Sequence, residues 1–216
     1  MARTPPTGQA RTSPAGGSRR FLPIAAILAG LVILGIGAFL ALGLRDNSRG
    51  VAGTALASAI GGPFQLVDQN GKTVTDADLK GKWSLIYFGY THCPDACPTA
   101  LNDISIALSE LGPKRDAVRP VFITVDPERD TPESLKAYVT SFDAPILALT
   151  GTAEQVAKAA KDYRVYYAKH PEAGGDYSMD HSSVIYVMDP EGRFTATFTH
   201  ESAPEQISER LKKLIG

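Results

Sequence analysis

The two cysteines of the 216-residue chain fall in one five-residue stretch, Cys93-Pro94-Asp95-Ala96-Cys97. Two cysteines cannot build the disulfide framework of a small secreted domain. A bridge across so short a loop would stabilise the fold by only about 2 kcal/mol before strain is subtracted. The stretch is expected to connect a buried strand to a helix, where free backbone N–H groups favour thiolate. The pair can therefore form a redox disulfide or share a metal ion.

The spacing of the cysteines helps to separate these two chemistries. Thioredoxin-type oxidoreductases place two residues between their cysteines and a cis-proline opposite them. Here three residues intervene, and no proline directly precedes the strand predicted at residues 183–188; the loop before that strand contains His181. A thioredoxin fold would bring this imidazole beside the thiols. Two thiolates and an imidazole suit copper(I), and imidazole also accommodates copper(II), whereas zinc usually takes a fourth ligand. The pattern favours a copper site without excluding thiol–disulfide exchange.

The elements that would position these residues follow the order of the thioredoxin fold. Asn70-Gly71 predicts a tight hairpin, the apolar run 83–88 is typical of a strand buried on both faces, and Thr131, Thr152 and Ser202 are predicted helix caps. The predicted strands are 64–67, 72–75, 83–88, 120–125, 146–149, 165–168, 183–188 and 194–198, and the predicted helices are 97–111, 131–142, 152–163 and 202–215. We therefore expect an α/β, thioredoxin-like domain over residues 61–216, with an N-terminal β-hairpin and a helix-strand insertion.

A membrane anchor is predicted before this domain. Residues 21–44 are uncharged, apolar and long enough to cross a bilayer as a helix, and longer than the apolar region of a cleaved signal peptide. Residues 1–20, rich in Pro, Gly and Ser, predict a disordered tail, and residues 45–60 a linker. Four arginines and no acid precede residue 45, so the tail should be cytoplasmic. We predict a single-pass protein of the bacterial inner membrane with its domain in the periplasm; a mitochondrial inner membrane, with the domain in the intermembrane space, is the alternative.

The charge of the chain bears on its partners. The net charge of −1 combines the four N-terminal arginines with about −5 in the rest of the chain. Nucleic-acid binding requires a basic face. An acidic body therefore argues against nucleic acid as a partner.

Five separated motifs resemble those of one family. The stretch Tyr87-Phe88-Gly89-Tyr90-Thr91-His92-Cys93-Pro94-Asp95-Ala96-Cys97-Pro98-Thr99 closely resembles the signature of the Sco/SenC copper-delivery proteins. The resemblance continues through Val125-Asp126-Pro127-Glu128-Arg129-Asp130-Thr131-Pro132, Leu149-Thr150-Gly151-Thr152, Val165-Tyr166-Tyr167 and Asp180-His181-Ser182-Ser183. It covers essentially residues 61–216.

The resemblance implies a copper-binding protein rather than an enzyme. Copper would be ligated by Cys93, Cys97 and His181 and delivered to the binuclear copper centre of cytochrome c oxidase during assembly, which makes the copper-bearing oxidase subunit the expected partner. Other copper chaperones or thiol reductants are further candidate partners. The alternative function is a thiol–disulfide oxidoreductase that reduces the copper-binding cysteines of that subunit, which would use the two thiols but not His181.

Two further residues are candidates for a supporting role near the metal. His92 adjoins Cys93, but neighbouring side chains on an extended segment point apart, so a surface or supporting role is favoured over ligation. Asp126 follows a central strand, at the edge of the sheet where ligands gather in open α/β folds. It is expected to tune the site or to meet a partner, while helix entry and loop turning are sufficient to explain residues 127–132.

Overall fold

The computed structural model describes residues 60–216, which fall within one compact unit of the chain. The strands are β1 (Gln65–Asp68), β2 (Thr73–Thr75), β3 (Trp83–Gly89), β4 (Val118–Thr124), β5 (Leu147–Thr150), β6 (Tyr167–Pro171), β7 (Tyr177–His181), β8 (Val184–Met188) and β9 (Phe194–Thr199). The helices are α1 (Ala96–Glu110), α2 (Pro132–Val139), α3 (Ala153–Asp162) and α4 (Pro204–Ile215), with short 3-10 segments at Asp76–Leu79 and Gly112–Ala117.

Seven strands form one mixed sheet in the order β2-β1-β5-β4-β3-β8-β9. Strands β3, β4 and β5 are parallel, while β8 runs antiparallel to β3 and β9 antiparallel to β8. The four strands β4-β3-β8-β9 have the thioredoxin arrangement, and the predicted N-terminal hairpin, β1-β2, extends the sheet beyond β4 together with β5. The predicted thioredoxin-like α/β fold is therefore confirmed.

Strand β3 is an interior strand of the sheet, between β4 and β8, and lies in the core. Its residues Leu85, Ile86, Tyr87 and Phe88 are fully buried, which explains the continuous apolar run: both faces of a central strand are covered. Helix α1 packs its buried face, which includes Leu101 and Ile104, into the same core. Strand β3 thus ends, at Gly89, inside the packed core.

Three helix starts were predicted from capping residues, and two are confirmed. The Thr131 hydroxyl caps α2, and Thr152 and Gln155 form the capping box of α3. The prediction for α4 is wrong, because the cap lies one residue later. Ala203 occupies the N-cap and its N–H donates to the Gln206 side chain, whereas the Ser202 hydroxyl accepts from the Thr199 N–H and ends the preceding strand.

The second sheet is a hairpin of β6 and β7 that the sequence does not predict. Residues 165–168 were expected to be extended and the following residues to be a loop, but β6 begins at Tyr167 and pairs antiparallel with β7. Most of β6 is exposed. Strand β6 therefore lacks the apolar alternation that marks a half-buried strand, whereas β7 buries Met179 in the core.

The predicted tail (1–20) and transmembrane helix (21–44), and all but the last residue of the predicted linker (45–60), lie outside the described residues. Within residues 60–216, no helix combines the length and apolar character needed to cross a bilayer.

Candidate metal centre

The cysteine loop lies at the carboxyl end of β3. The strand ends at Gly89, and α1 begins at Ala96, so Cys97 sits in the first turn of the helix. A Cβ atom added at Gly89 would lie 2.7 Å from the Cys97 Sγ and 2.9 Å from the Phe122 ring. Only glycine leaves room for the sulfur to pack against the end of the strand. The local sequence thereby fixes the position of the buried thiol.

His181 reaches the same place from a distant part of the chain. It is the last residue of β7, shortly before β8 begins. Since β8 runs antiparallel to β3, the start of β8 lies beside the end of β3. The predicted proximity of His181 to the thiols is observed, although the residue lies in a strand rather than in a loop.

Three ligand atoms converge at this edge of the sheet. The Cys97 Sγ lies 3.4 Å from the His181 Nε2, and the Cys97 N–H donates to the Cys93 Sγ at 3.4 Å. One ligand atom from each of the three residues lies within 4.8 Å of the others. Cys97 is buried, whereas Cys93 and His181 are half-buried. The group could therefore hold one metal ion that is reached from the surface.

The ring of His181 is held in a defined orientation. Its Nδ1 lies 3.3 Å from the Ser182 carbonyl oxygen. Because a carbonyl can only accept, Nδ1 must carry the proton if this contact is a hydrogen bond, and Nε2 then presents its lone pair to the thiols. The rings of Tyr87 and Tyr90 contact the imidazole edge-to-face, with centroid distances of 5.9 and 5.8 Å. This arrangement is the one a metal-ligating histidine needs.

The two thiols differ in acidity. Hydrogen bonds from the Cys97 thiol and from the Cys97 N–H lower the pKa of Cys93 to about 3, against the effect of partial burial. The hydrogen bond between the thiols and deep burial raise the pKa of Cys97 far above its ordinary value. The pair thus behaves as one accessible thiolate beside one buried thiol, since a single proton is shared.

Asp130 anchors the cysteine loop, a role that the sequence reasoning missed. This buried carboxylate accepts from the Thr91 N–H at 3.0 Å, from the Thr91 hydroxyl at 2.6 Å and from the Thr124 hydroxyl at 2.5 Å. It thereby joins the residue two before Cys93 to the end of β4. Helix entry and loop turning explain residues 127–132 from the sequence, but Thr131 and Pro132 suffice to start the helix. The signal for a further role is Asp130, a second acid four residues after Asp126.

The two candidate supporting residues lie differently. His92 is exposed, its Nδ1 is 3.1 Å from the Thr91 hydroxyl, and it is not part of the converging group. Asp126 is buried and binds Arg129, whose guanidinium lies 5.9 Å from the Tyr90 ring centre. Since Tyr90 contacts His181, Asp126 is connected to the site through two intermediate side chains.

Comparison with known proteins identifies relatives over the whole described region. A family model described as SCO1/SenC matches residues 52–216. The solved structure of Bradyrhizobium japonicum ScoI with copper bound is 54% identical, with a TM-score of 0.68, and covers 72% of this chain and 99% of that chain. The mitochondrial SCO1 homolog 1 of Arabidopsis thaliana is 42% identical over 159 residues, which are 73% of this chain and 48% of that protein. The matched region thus spans about half the length of the plant relative.

A more distant solved structure adds a redox observation. BsSco, a member of the Sco family of cytochrome c oxidase assembly proteins in which a disulfide switch was identified, is 26% identical with a TM-score of 0.59 and covers 73% of this chain and 94% of that one. In the present structure both thiols are free.

Proposed function

The chain belongs to the SCO1/SenC family, and from that premise we propose that it binds one copper ion through Cys93, Cys97 and His181 and delivers it to the copper-bearing subunit of cytochrome c oxidase. Copper is the cargo of this protein. The observation that carries the proposal is the convergence of two sulfurs and one imidazole nitrogen within 4.8 Å. The copper-bound structure of the 54% identical ScoI supports the choice of metal.

The donor set fits copper(I). Thiolates are soft ligands that select copper(I), and the imidazole nitrogen is compatible with both copper oxidation states. With three protein ligands, two of them half-buried, an incoming thiol or imidazole of a partner can approach the ion. Transfer would then proceed by stepwise ligand exchange.

Copper loading should depend on the redox state of the thiols. Metal ligation needs deprotonated, unoxidised sulfurs. A disulfide between Cys93 and Cys97 would occupy both donors. The disulfide switch reported for the relative BsSco supports such gating.

A second candidate function is thiol–disulfide exchange on the oxidase subunit. It is favoured by the half-buried Cys93, with its low pKa, beside the buried Cys97, because an accessible thiolate is the attacking group in such reactions. The Cys93 thiolate would attack the target disulfide and form a mixed disulfide, and the Cys97 thiolate would release the target dithiol. The Cys93–Cys97 disulfide left behind would need a thiol reductant.

The proposed location follows from the sequence. We place residues 21–44 in the bacterial inner membrane as a single span, with residues 61–216 in the periplasm. Support comes from the arginines that precede the span and from the higher identity to the bacterial ScoI than to the plant mitochondrial relative.

Replacement of His181 separates the two functions. We expect His181→Ala in the full-length, reduced protein to weaken copper(I) binding by about 100-fold or more, or about 3 kcal/mol, in competition with a chelator. His92→Ala is the matched control and should leave the affinity unchanged, because that imidazole is not part of the group. Unchanged affinity in His181→Ala, with intact disulfide reductase activity, would refute copper ligation and favour the second function.

A further inference from the structure

The position of His181 depends on a hairpin that lies apart from the main sheet. Strands β6 and β7 pair only with each other among the described strands. Because no backbone ladder joins this hairpin to the seven-stranded sheet, it is held against the thiols by the two-residue link from His181 to β8, by the buried Met179 and by polar side-chain contacts. The contacts therefore decide how well the third ligand is placed.

Arg129 makes the central contact between the hairpin and the loop that follows β4. Its Nη1 donates to the Tyr177 carbonyl at 3.0 Å and to the Asp176 carboxylate at 3.2 Å. Its guanidinium carbon lies 3.7 Å from the centre of the Tyr177 ring. One side chain thus binds the start of β7 through its backbone, through a neighbouring carboxylate and through an aromatic face.

Asp126 fixes the orientation of the Arg129 side chain. The Arg129 Nε donates to Asp126 Oδ2 at 2.5 Å, and Asp126 Oδ1 accepts from the Tyr177 hydroxyl at 2.7 Å. Asp126 is only 3% exposed and the Arg129 side chain 17%. Charge-assisted hydrogen bonds in such a sheltered place are stronger and more directional than those on the surface. Asp126, Arg129 and Tyr177 therefore form one closed set of contacts.

This set also reaches the imidazole by a second route. The Arg129 guanidinium lies 5.9 Å from the Tyr90 ring centre, and the Tyr90 ring lies edge-to-face on His181 at 5.8 Å. Arg129 thus acts on both supports of the imidazole, the strand that carries it and one ring that orients it. The thiols are held separately, by Gly89 and Asp130.

From these contacts we propose that Arg129 is a positioning residue for His181: it holds β7 and Tyr90 so that the imidazole faces the two sulfurs. The inference rests on the proposed function, because it takes His181 as a copper ligand. Lysine cannot replace arginine here, since its ammonium group lacks the planar set of N–H donors with which the guanidinium binds Asp126 and the Tyr177 carbonyl together. The side chain acts without touching the metal ligands.

The hairpin provides a matched control in Lys169. Its ammonium lies 3.8 Å from the centre of the same Tyr177 ring and pairs with Glu128 at 2.6 Å. Both members of this pair are exposed, at 42% and 66%, and exposed ion pairs contribute little. Lys169→Met removes a cation from the same ring, while the bonds of Arg129 stay in place.

A double-mutant cycle on copper(I) affinity tests the proposal in the reduced full-length chain. Arg129→Met should lower the affinity about 10-fold when His181 is present, the loss typical of removing a group that orients a ligand. In the His181→Ala background the same change should alter the affinity less than about twofold, because no ligand remains to be positioned. Lys169→Met should change neither background, and Arg129→Lys should resemble Arg129→Met.

One further variant and one independent measurement test the positioning role separately. Tyr177→Phe removes only the hydroxyl bond to Asp126 and should give a smaller loss with the same dependence on His181. Amide hydrogen exchange of the metal-free protein should accelerate in β6 and β7, but not in β3 or β4, on Arg129→Met. An equal loss of affinity in both backgrounds, or no loss in either, would overturn the positioning role while leaving copper ligation intact. If the single variant His181→Ala binds copper(I) as tightly as the parent protein, both proposals are overturned.

Discussion

His181 and Cys97 are 84 positions apart in the chain, yet the imidazole Nε2 lies 3.4 Å from the thiol Sγ. The two residues meet because β3 and β8 are antiparallel neighbours whose opposite ends share one edge of the sheet. A soft S/S/N donor group is thereby assembled on a thioredoxin-like scaffold. Five measurements follow from this arrangement.

The first concerns the reactivity of the thiols. Since the pKa of Cys93 is lowered to about 3 and that of Cys97 is raised, we expect iodoacetamide to modify Cys93 alone in the reduced, metal-free protein. The rate should stay nearly constant from pH 8 to about pH 5, because Cys93 remains thiolate throughout. Mass spectrometry of the peptides measures the rate at each thiol. The denatured protein is the control, and there the rates should fall about tenfold per pH unit below the ordinary thiol pKa of about 8.5. The same fall in the native protein would contradict the lowered pKa.

The second concerns oxidation. Protein treated with diamide to form the Cys93–Cys97 disulfide should bind essentially no copper(I), because both sulfur donors are consumed. Chelator competition before and after treatment with dithiothreitol measures the loss and its recovery. Tight copper(I) binding by the verified disulfide form would count against redox gating.

The third measurement concerns Gly89, which packs against the buried Cys97 sulfur. Gly89→Ala should lower the free energy of unfolding by about 1–3 kcal/mol, because the new Cβ would overlap the Cys97 sulfur and the Phe122 ring. Chemical denaturation measures the change. Gly151→Ala is the control with a smaller expected loss, since its Cβ would first meet the Gln155 side-chain oxygen, whose shift would cost one exposed hydrogen bond from the Thr152 N–H. Equal stability of Gly89→Ala and the parent protein would show that the sulfur is not packed as described.

The fourth concerns the anchor of the cysteine loop. Asp130→Ala should lower the free energy of unfolding by about 3 kcal/mol at acidic pH, because the Thr91 N–H and the Thr124 hydroxyl lose their buried acceptor. Burial raises the pKa of the Asp130 carboxyl, so the folded chain holds this proton more tightly than the unfolded chain does. The stabilisation is greatest below the unfolded pKa, and the difference between the two proteins should narrow as pH rises through the raised value. Denaturation at several pH values measures this trend.

A control for the same experiment is the exposed Asp143. Asp143→Ala should change the free energy of unfolding by no more than about 0.5 kcal/mol. A loss in Asp130→Ala that is no larger than this would contradict the anchoring role of Asp130.

Much of the fold could be predicted because the core strands carry their own signal. The continuous apolar run of β3 and the capping box of Thr152 and Gln155 are local patterns with one physical reading. The β6–β7 hairpin could not be predicted in this way, since the mostly exposed β6 has no apolar face and Arg129, which Asp126 orients, attaches β7 through polar contacts. Such contacts join segments that are distant in the chain, so no local sequence pattern predicts them.

The three converging residues were predictable for a different reason. Cys93 and Cys97 are the chain's two cysteines, and His181 precedes a strand whose place beside β3 follows from the thioredoxin order. The acidity of the thiols was not predictable in detail, because it depends on the burial of Cys97 against Gly89 and on the direction of one shared hydrogen bond. The anchoring role of Asp130 likewise depends on a contact across 39 residues.

Copper ligation by Cys93, Cys97 and His181 is tested most directly by the copper X-ray absorption spectrum of the reduced full-length protein, loaded with one equivalent of copper(I). We expect two sulfur neighbours and one imidazole nitrogen around the metal, with the nitrogen contribution lost in His181→Ala and retained in His92→Ala. A spectrum with fewer than two sulfurs, or one that His181→Ala leaves unchanged, would contradict a copper site built from Cys93, Cys97 and His181.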